Sequence, residues 1–238
     1  TVFDVNFQVR EGEVVGLAGL GGCGRTTICR TLVGLGKIVS GQIKYMGKAA
    51  LRSPAKAARA GMVLIPEDRK THGLILNQSM RFNMALPNLS QIGRWGVLQH
   101  KVEKQIVDRV ISDIQIRPSN PEITAENLSG GNQQKIVVGK WLLTNPKLVV
   151  FDEPTRGIDV GAKAEIYTRI RELTRQGVGV IMASSDLPEL IGMSDRILVF
   201  HEGRVAGELA RADFSEEAIM HLATGTEESS LPCDQVER

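Results

Sequence analysis

No apolar run in this 238-residue chain approaches the ~18 residues that a membrane span needs, and no signal peptide opens it. Net charge is nearly absent too: 29 Lys+Arg against 27 Asp+Glu leave a formal +2. With no basic block, the electrostatic footprint of nucleic-acid binding is missing. Cysteine is scarce and odd in number (Cys23, Cys29, Cys233), without a C-x-x-C pair, which fits a reducing cytosol rather than a disulfide framework. The histidines His72, His100, His201 and His221 form no ligand-spaced cluster, which argues against zinc. There is no internal repeat. The 42% hydrophobic and 24% charged residues exclude a disordered or collagenous chain. A chain of this length reads as one large domain, or one carrying an inserted subdomain. It can bury roughly 70% of its unfolded surface without a disulfide or metal.

What is present is alternation. Short runs that are apolar on consecutive positions recur at 14–18, 62–65, 148–151, 178–183 and 197–200. Such runs suit strands covered on both faces, as in parallel sheets. Helical patterns lie between them: residues 25–34 after a glycine loop, and a start at Ser53-Pro54 with proline at the first helical position. Over 100–115, Val102, Ile106, Val110 and Ile114 form one stripe; over 160–176, Ile166, Ile170 and Leu173 form another. Together they predict an α/β fold with a mostly parallel sheet. Two regions break the alternation. Val2 to Val9 alternates apolar and polar and predicts a half-solvated strand, and ~78–140 predicts two or three helices inserted into the α/β core. The segment 227–238 reads as a polar tail. Met62, Met80, Met84, Met182 and Met193 read as core filling. Trp95, between Gly93 and Gly96, reads either as a partner-facing residue or as part of a satellite cluster.

Three motifs carry chemistry. Gly19-Leu20-Gly21-Gly22-Cys23-Gly24-Arg25-Thr26-Thr27 lies between a predicted strand and a predicted helix. Glycines there let successive backbone N–H groups face one anion, with the helix dipole behind them. The pattern is that of a phosphate loop with Arg25 where lysine is expected; the alternative is a plain glycine turn. Leu148 to Glu153 is an apolar strand running into two acids, which suits a magnesium site at Asp152 and Thr26 and a general base at Glu153, or else a solvated acidic turn. Leu128-Ser129-Gly130-Gly131-Asn132-Gln133-Gln134-Lys135 opens an apolar helix and reads as an anion nest or a bare helix cap. Cys23 lies among the N–H dipoles beside Arg25, a setting that lowers a thiol pKa, although a small packing residue serves equally there. Cys29 reads as core.

These motifs, in this order, resemble the nucleotide-binding domain of ABC transporters: L-S-G-G-N-Q-Q-K as the signature, Asp152-Glu153-Pro154 as the Walker B ending, and Thr155 to Asp159 as the D-loop. The match runs from about Val2 to Gly225. Ile65 to Lys70, Asp152 to Ala162 and Ser184 to Glu189 narrow it to the C-terminal ATPase half of bacterial monosaccharide importers, and 219–225 resembles that half's closing helix. The resemblance implies a P-loop core with N-terminal antiparallel strands and a helical subdomain at about 78–140, the whole domain covering 1–226. It implies ATP and Mg2+ as cofactors, and as partners a second ATPase half or copy, membrane permease subunits and, indirectly, a periplasmic sugar-binding protein. It places the protein at the cytoplasmic face of the inner membrane. It further implies a chain that begins inside a longer protein, with the adenine-stacking aromatic upstream.

Three positions depart from an active ABC site. Arg25 replaces the lysine that meets the β- and γ-phosphates, and its planar fork does not fit the slot of a compact ammonium. Glu67 stands at the Q-loop glutamine, where its carboxylate can ligate magnesium but donates no hydrogen bond. Ser185 stands at the switch histidine and is too short to reach a γ-phosphate. Glu153 remains as the catalytic base. The expected role is asymmetric: Ser129, Gly130 and Gly131 complete a partner's site, while the chain's own loop binds ATP and turns it over slowly. The alternatives are a soluble ABC ATPase of translation or DNA repair, and a purely structural half that binds no nucleotide. The transported sugar is not encoded.

Overall fold

The computed structural model describes residues 2–49, 53–95 and 97–225. In chain order the elements are β1 (Val14–Gly19), α1 (Arg25–Leu32), β2 (Lys44–Tyr45), β3 (Lys48–Ala49), α2 (Pro54–Arg59), β4 (Met62–Ile65), α3 (Met80–Ala85), α4 (Leu89–Ile92), β5 (Gly93–Arg94), β6 (Val97–Leu98), α5 (His100–Asp113), α6 (Gly130–Leu142), β7 (Leu148–Asp152), α7 (Val160–Arg175), β8 (Gly179–Ala183), α8 (Leu187–Met193), β9 (Arg196–His201), β10 (Arg204–Ala210) and α9 (Glu216–Thr224). Six strands form one sheet in the order β10-β9-β1-β8-β7-β4. All its pairings are parallel except β9 with β10.

The consecutive apolar runs are explained by two cores. Val149, Phe151, Val180, Met182, Ile197 and Val199 face one of them, together with α5, α6, α7 and α9. Val150, Ile181, Ala183, Leu198 and Phe200 face the other, with Ile28 and Cys29 of α1 and Ala57 of α2. Because side chains alternate across a strand, a sheet clothed on both faces makes every position apolar. The five methionines are all buried, as read.

Four features differ from the sequence reading. Residues 2–9 form no strand: Val2, Val5, Phe7 and Val9 do pack on the second core, but the backbone donates from Phe3 N to Gly203 O (2.8 Å) and builds no ladder. The alternation records burial of one face and not pairing. The 80–142 region carries four helices plus a β5–β6 hairpin of two residues a strand. In α5 the buried apolar residues are Val107, Val110 and Ile111, with Ile114 buried just beyond its end and Val102 and Ile106 only half-buried. A strict four-residue stripe drifts ~40° a turn, so the helix presents its mixed three- and four-residue face instead. Trp95 is 92% exposed, which removes the satellite-cluster reading. The 227–238 segment lies outside the described residues.

Candidate functional site

Parallel strands place their carboxyl ends on one edge, where open α/β sheets bind ligands. That edge gathers Gly19, Ile65, Asp152 and Ala183, and the segments that follow them carry most of the predicted site residues.

The glycine loop leaves β1 and enters α1 through two left-handed residues, Gly22 at φ +82° and Gly24 at φ +110°. An L side chain is strained at both. Cβ atoms at Gly21 and Gly22 would meet nothing within 4 Å, so the loop is an open cradle of backbone. Gly19 is closed off below by Cys23 Sγ and Phe200 O. Cys23 is buried against the second core, which favours the packing role. Cys29 is fully buried and its thiol is pushed well up by burial. Thr27 is exposed on the first turn of α1, and Thr26 Oγ1 donates to Asp152 Oδ1 at 3.1 Å. Burial, partly offset by that hydrogen bond, raises the Asp152 carboxyl above its usual range. A hydroxyl and a carboxylate side by side are a donor set that suits magnesium completed by phosphate oxygens and water.

The Arg25 guanidinium turns inward. It is 9% exposed, donates to Ser184 O, and pairs through Nη2 with Glu153 Oε1 at 3.3 Å. The other oxygen of Glu153 accepts from Ser185 N at 3.1 Å and Ser185 Oγ at 3.0 Å. Glu153 itself adopts φ +49°, a left-handed conformation costly for a glutamate that swings its carboxylate off the end of β7. The phosphate-loop arginine, the candidate base and the switch-position serine are thus one hydrogen-bonded unit. Beneath it Glu189 is buried, accepting from Thr155 Oγ1 at 3.0 Å and from Ser184 Oγ, and burial raises its carboxyl.

Glu67 shares a cavity of about 340 Å³ with Thr26, Asp152, His72 and Trp141. Its carboxylate is ion-paired to Arg156. Ser129 is the exposed N-cap of α6, accepting from Asn132 N at 3.4 Å. The nearest atoms to a Cβ at Gly130 or Gly131 belong to Arg69, Gly157, Asp159 and Ala162, none of them in the phosphate loop. The candidate residues therefore fall into two groups: the loop with Asp152, Glu153 and Ser185, and the Ser129–Gly131 turn beside the loop after β7. Sequence reading missed Arg69, Arg156, Ser184 and Glu189 as site members. Ser184 and Glu189 are near neighbours, but Arg25, Thr155, Glu67 and the carbonyls that Arg69 meets lie 34 to 159 residues from their partners, and no local pattern signals those pairings.

The family profile "ABC transporter" matches residues 2–156. The chain is 51% identical over 223 residues to the ribose import ATP-binding protein RbsA of Bacillus subtilis (strain 168), covering 93% of this chain and 45% of that protein. It is 45% identical, with the same coverage, to that of Streptococcus agalactiae serotype III (strain NEM316). The chain thus spans less than half the length of these relatives. Among solved structures, the nucleotide-free ATP-binding cassette of an ABC transporter superposes with a TM-score of 0.77 at 20% identity, covering 94% of this chain and 88% of that one. The dimeric post-hydrolysis state of the ATP-binding cassette MJ0796, bound to ADP and Pi, superposes with 0.78 at 21% identity, covering 90% and 91%. With an open backbone cradle at the carboxyl edge of a parallel sheet and an L-S-G-G turn at the head of α6, the chain belongs to the ABC transporter family and carries its ATP-binding domain.

Proposed function

We propose that this chain is an ATPase half of a sugar importer whose own nucleotide site is slow and whose Ser129–Gly131 turn completes the site of a second half. The observation that carries the reading is the Arg25–Glu153–Ser185 unit. Both oxygens of this carboxylate are already engaged, one by the Arg25 guanidinium and the other by the N–H and hydroxyl of Ser185, so neither is free to orient an attacking water. MgATP would be held by the glycines of 19–24, by Thr26 and Thr27, and by Asp152, with Glu67 facing the same cavity. Bound magnesium supplies charge neutralisation at the transferring phosphate. What the chain's residues supply is the backbone N–H cradle and an oriented Glu153. To meet phosphate Arg25 would give up its contacts with Ser184 O and Glu153, a cost that opposes turnover at the chain's own site.

The relatives' names, ribose import ATP-binding proteins, support ribose or a similar sugar as cargo, and the dimeric cassette supports a second ATPase half; permease subunits and a peripheral position at the cytoplasmic membrane face belong to the same proposal. Among the described residues no helix is long and apolar enough to cross a membrane. The net +2 charge weighs against action on nucleic acid. Residues 78–140 are proposed as the helical subdomain.

The test is Ser129→Ala in the complete two-half ATPase. Turnover is expected to fall at least tenfold, the scale of losing a transition-state phosphate donor. Wild-type turnover in the variant rules the asymmetric role out. Equilibrium dialysis of MgATP, with and without Arg25→Ala, then separates a binding half from a purely structural one: saturable binding lost in the variant makes Arg25 a phosphate ligand.

A further inference from the structure

Three segments distant in sequence meet at the guanidinium of Arg69. Nη1 donates to Arg156 O at 3.0 Å and Nη2 to Gly157 O at 3.4 Å. These are successive carbonyls in the loop after β7, which Gly157 turns at φ +66°. A Cβ at Gly130 would stand 2.7 Å from Arg69 Nη2 and 3.3 Å from Gly157 O, so the first turn of α6 rests on the same group. The Nε of Arg69 is buried with no hydrogen-bond partner, so the side chain is held by its two terminal nitrogens alone. A second tie runs in the opposite sense, from the Arg156 guanidinium to the Glu67 carboxylate. Between the two ties, Asp68 fixes the backbone by accepting from Lys70 N at 2.9 Å and Thr71 N at 3.1 Å.

We propose that Arg69 is a positioning residue that carries displacement of segment 66–73 to the loop 155–159 and to the Ser129–Gly131 turn. It thereby sets the geometry with which this half meets a nucleotide held by its partner. The proposal rests on the composite-site reading above. A planar fork bridging two carbonyls moves with them as one body, whereas the donors of a lysine radiate from one rotatable nitrogen on a flexible stem and let the segments slide. The Arg69 side chain itself meets only the carbonyls of Arg156 and Gly157 and the head of α6, none of them in the chain's own phosphate loop, so its effect falls on the partner's turnover.

The experiment uses the complete two-half ATPase with Arg69→Gln, Arg69→Lys and, as a reference, Ser129→Ala. It measures kcat and KM for MgATP together with amide hydrogen exchange. A misplacement of about 1 Å costs up to ~100-fold in rate. The expected result is a kcat at least ~10-fold lower for Arg69→Gln and intermediate for Arg69→Lys, with KM changed less than ~3-fold. Exchange is expected to quicken at 155–161 and stay unchanged in β7. A wild-type kcat for Arg69→Gln beside an impaired Ser129→Ala overturns the Arg69 role and leaves the composite site standing. Wild-type turnover in both variants overturns the composite site and the proposal with it. A rise in KM alone overturns the proposal, as does faster exchange spread through β7, which marks a merely structural residue.

Discussion

At the scale of single residues, the decisive substitution is Arg25. A larger, forked cation at the start of α1 reaches across to Ser184 O and Glu153 and becomes buried with them. Removing one member of a buried pair leaves the other charge uncompensated, at about 3–5 kcal/mol. Glu153→Ala is expected to cost about 3 kcal/mol, a fall of roughly 6–12 °C in melting temperature for a domain of this size. Arg25→Ala combined with Glu153→Ala is expected to cost less than the sum of the two; additive losses in thermal melts would show that the pair is not coupled. Lys140 is a second case. Largely buried on α6, it donates to Gly73 O and stands 5.7 Å from the centre of the Trp141 ring. Burial pushes its ammonium down to about 8 from the usual 10.5. The folded state therefore holds this proton less tightly than the unfolded chain does. Stability contributed by this site rises between about pH 8 and 10.5, is fully present above that range and is absent below pH 8. The rise is on the order of 3 kcal/mol. Denaturant titrations of wild type and Lys140→Met across this range check it, the variant lacking that component of the slope.

At the scale of elements, α6 has the most buried residues of the described helices. It is buried around much of its circumference, at Gly131 and Gln133 to Gly139, and Ile136, Val137 and Val138 belong to the first core. A Cβ at Gly139 would come within 2.7 Å of Ile114 Cδ1 and 2.8 Å of Val110 Cγ1 on and just beyond α5. Gly139→Ala is expected to cost about 1–3 kcal/mol by overpacking, read as a lower denaturant midpoint with an unchanged slope. A neutral outcome would mean that α5 yields without loss. The strands at 14–19, 62–65, 148–152, 179–183 and 196–201 were legible because burial on both faces writes itself as an unbroken apolar run. Ser53-Pro54 and the α7 stripe were legible because caps and helical spacing are local. Residues 2–9 misled because side-chain alternation reports a buried face and says nothing about hydrogen-bonding partners. The α5 stripe misled because spacing by four and the true helical period diverge over three turns.

At the scale of the whole molecule, the phosphate loop and the Ser129–Gly131 turn serve different neighbours: one abuts Asp152 and Glu153, the other Arg69, Gly157 and Asp159. The isolated chain is therefore expected to hydrolyse MgATP at least ~10-fold more slowly than the complete two-half ATPase, because a donor set for the transferring phosphate is absent from its own loop. A phosphate-release assay on the chain alone and on the complete protein checks this. Equal rates per site would mean that the chain needs no partner.

By itself the sequence determined which strands are buried on both faces, where the glycine cradle lies, and which chemical groups stand at its rim, since periodicity, glycine conformation and residue type are properties of short segments. Only the tertiary structure decided what those groups do with one another. The inward turn of Arg25 onto Glu153 joins positions 128 residues apart, and Arg69 reaches across 87 residues to Arg156. Such partnerships are fixed by the order in which parallel strands stack. A parallel crossover brings remote strand ends to one edge, and no local pattern carries that placement.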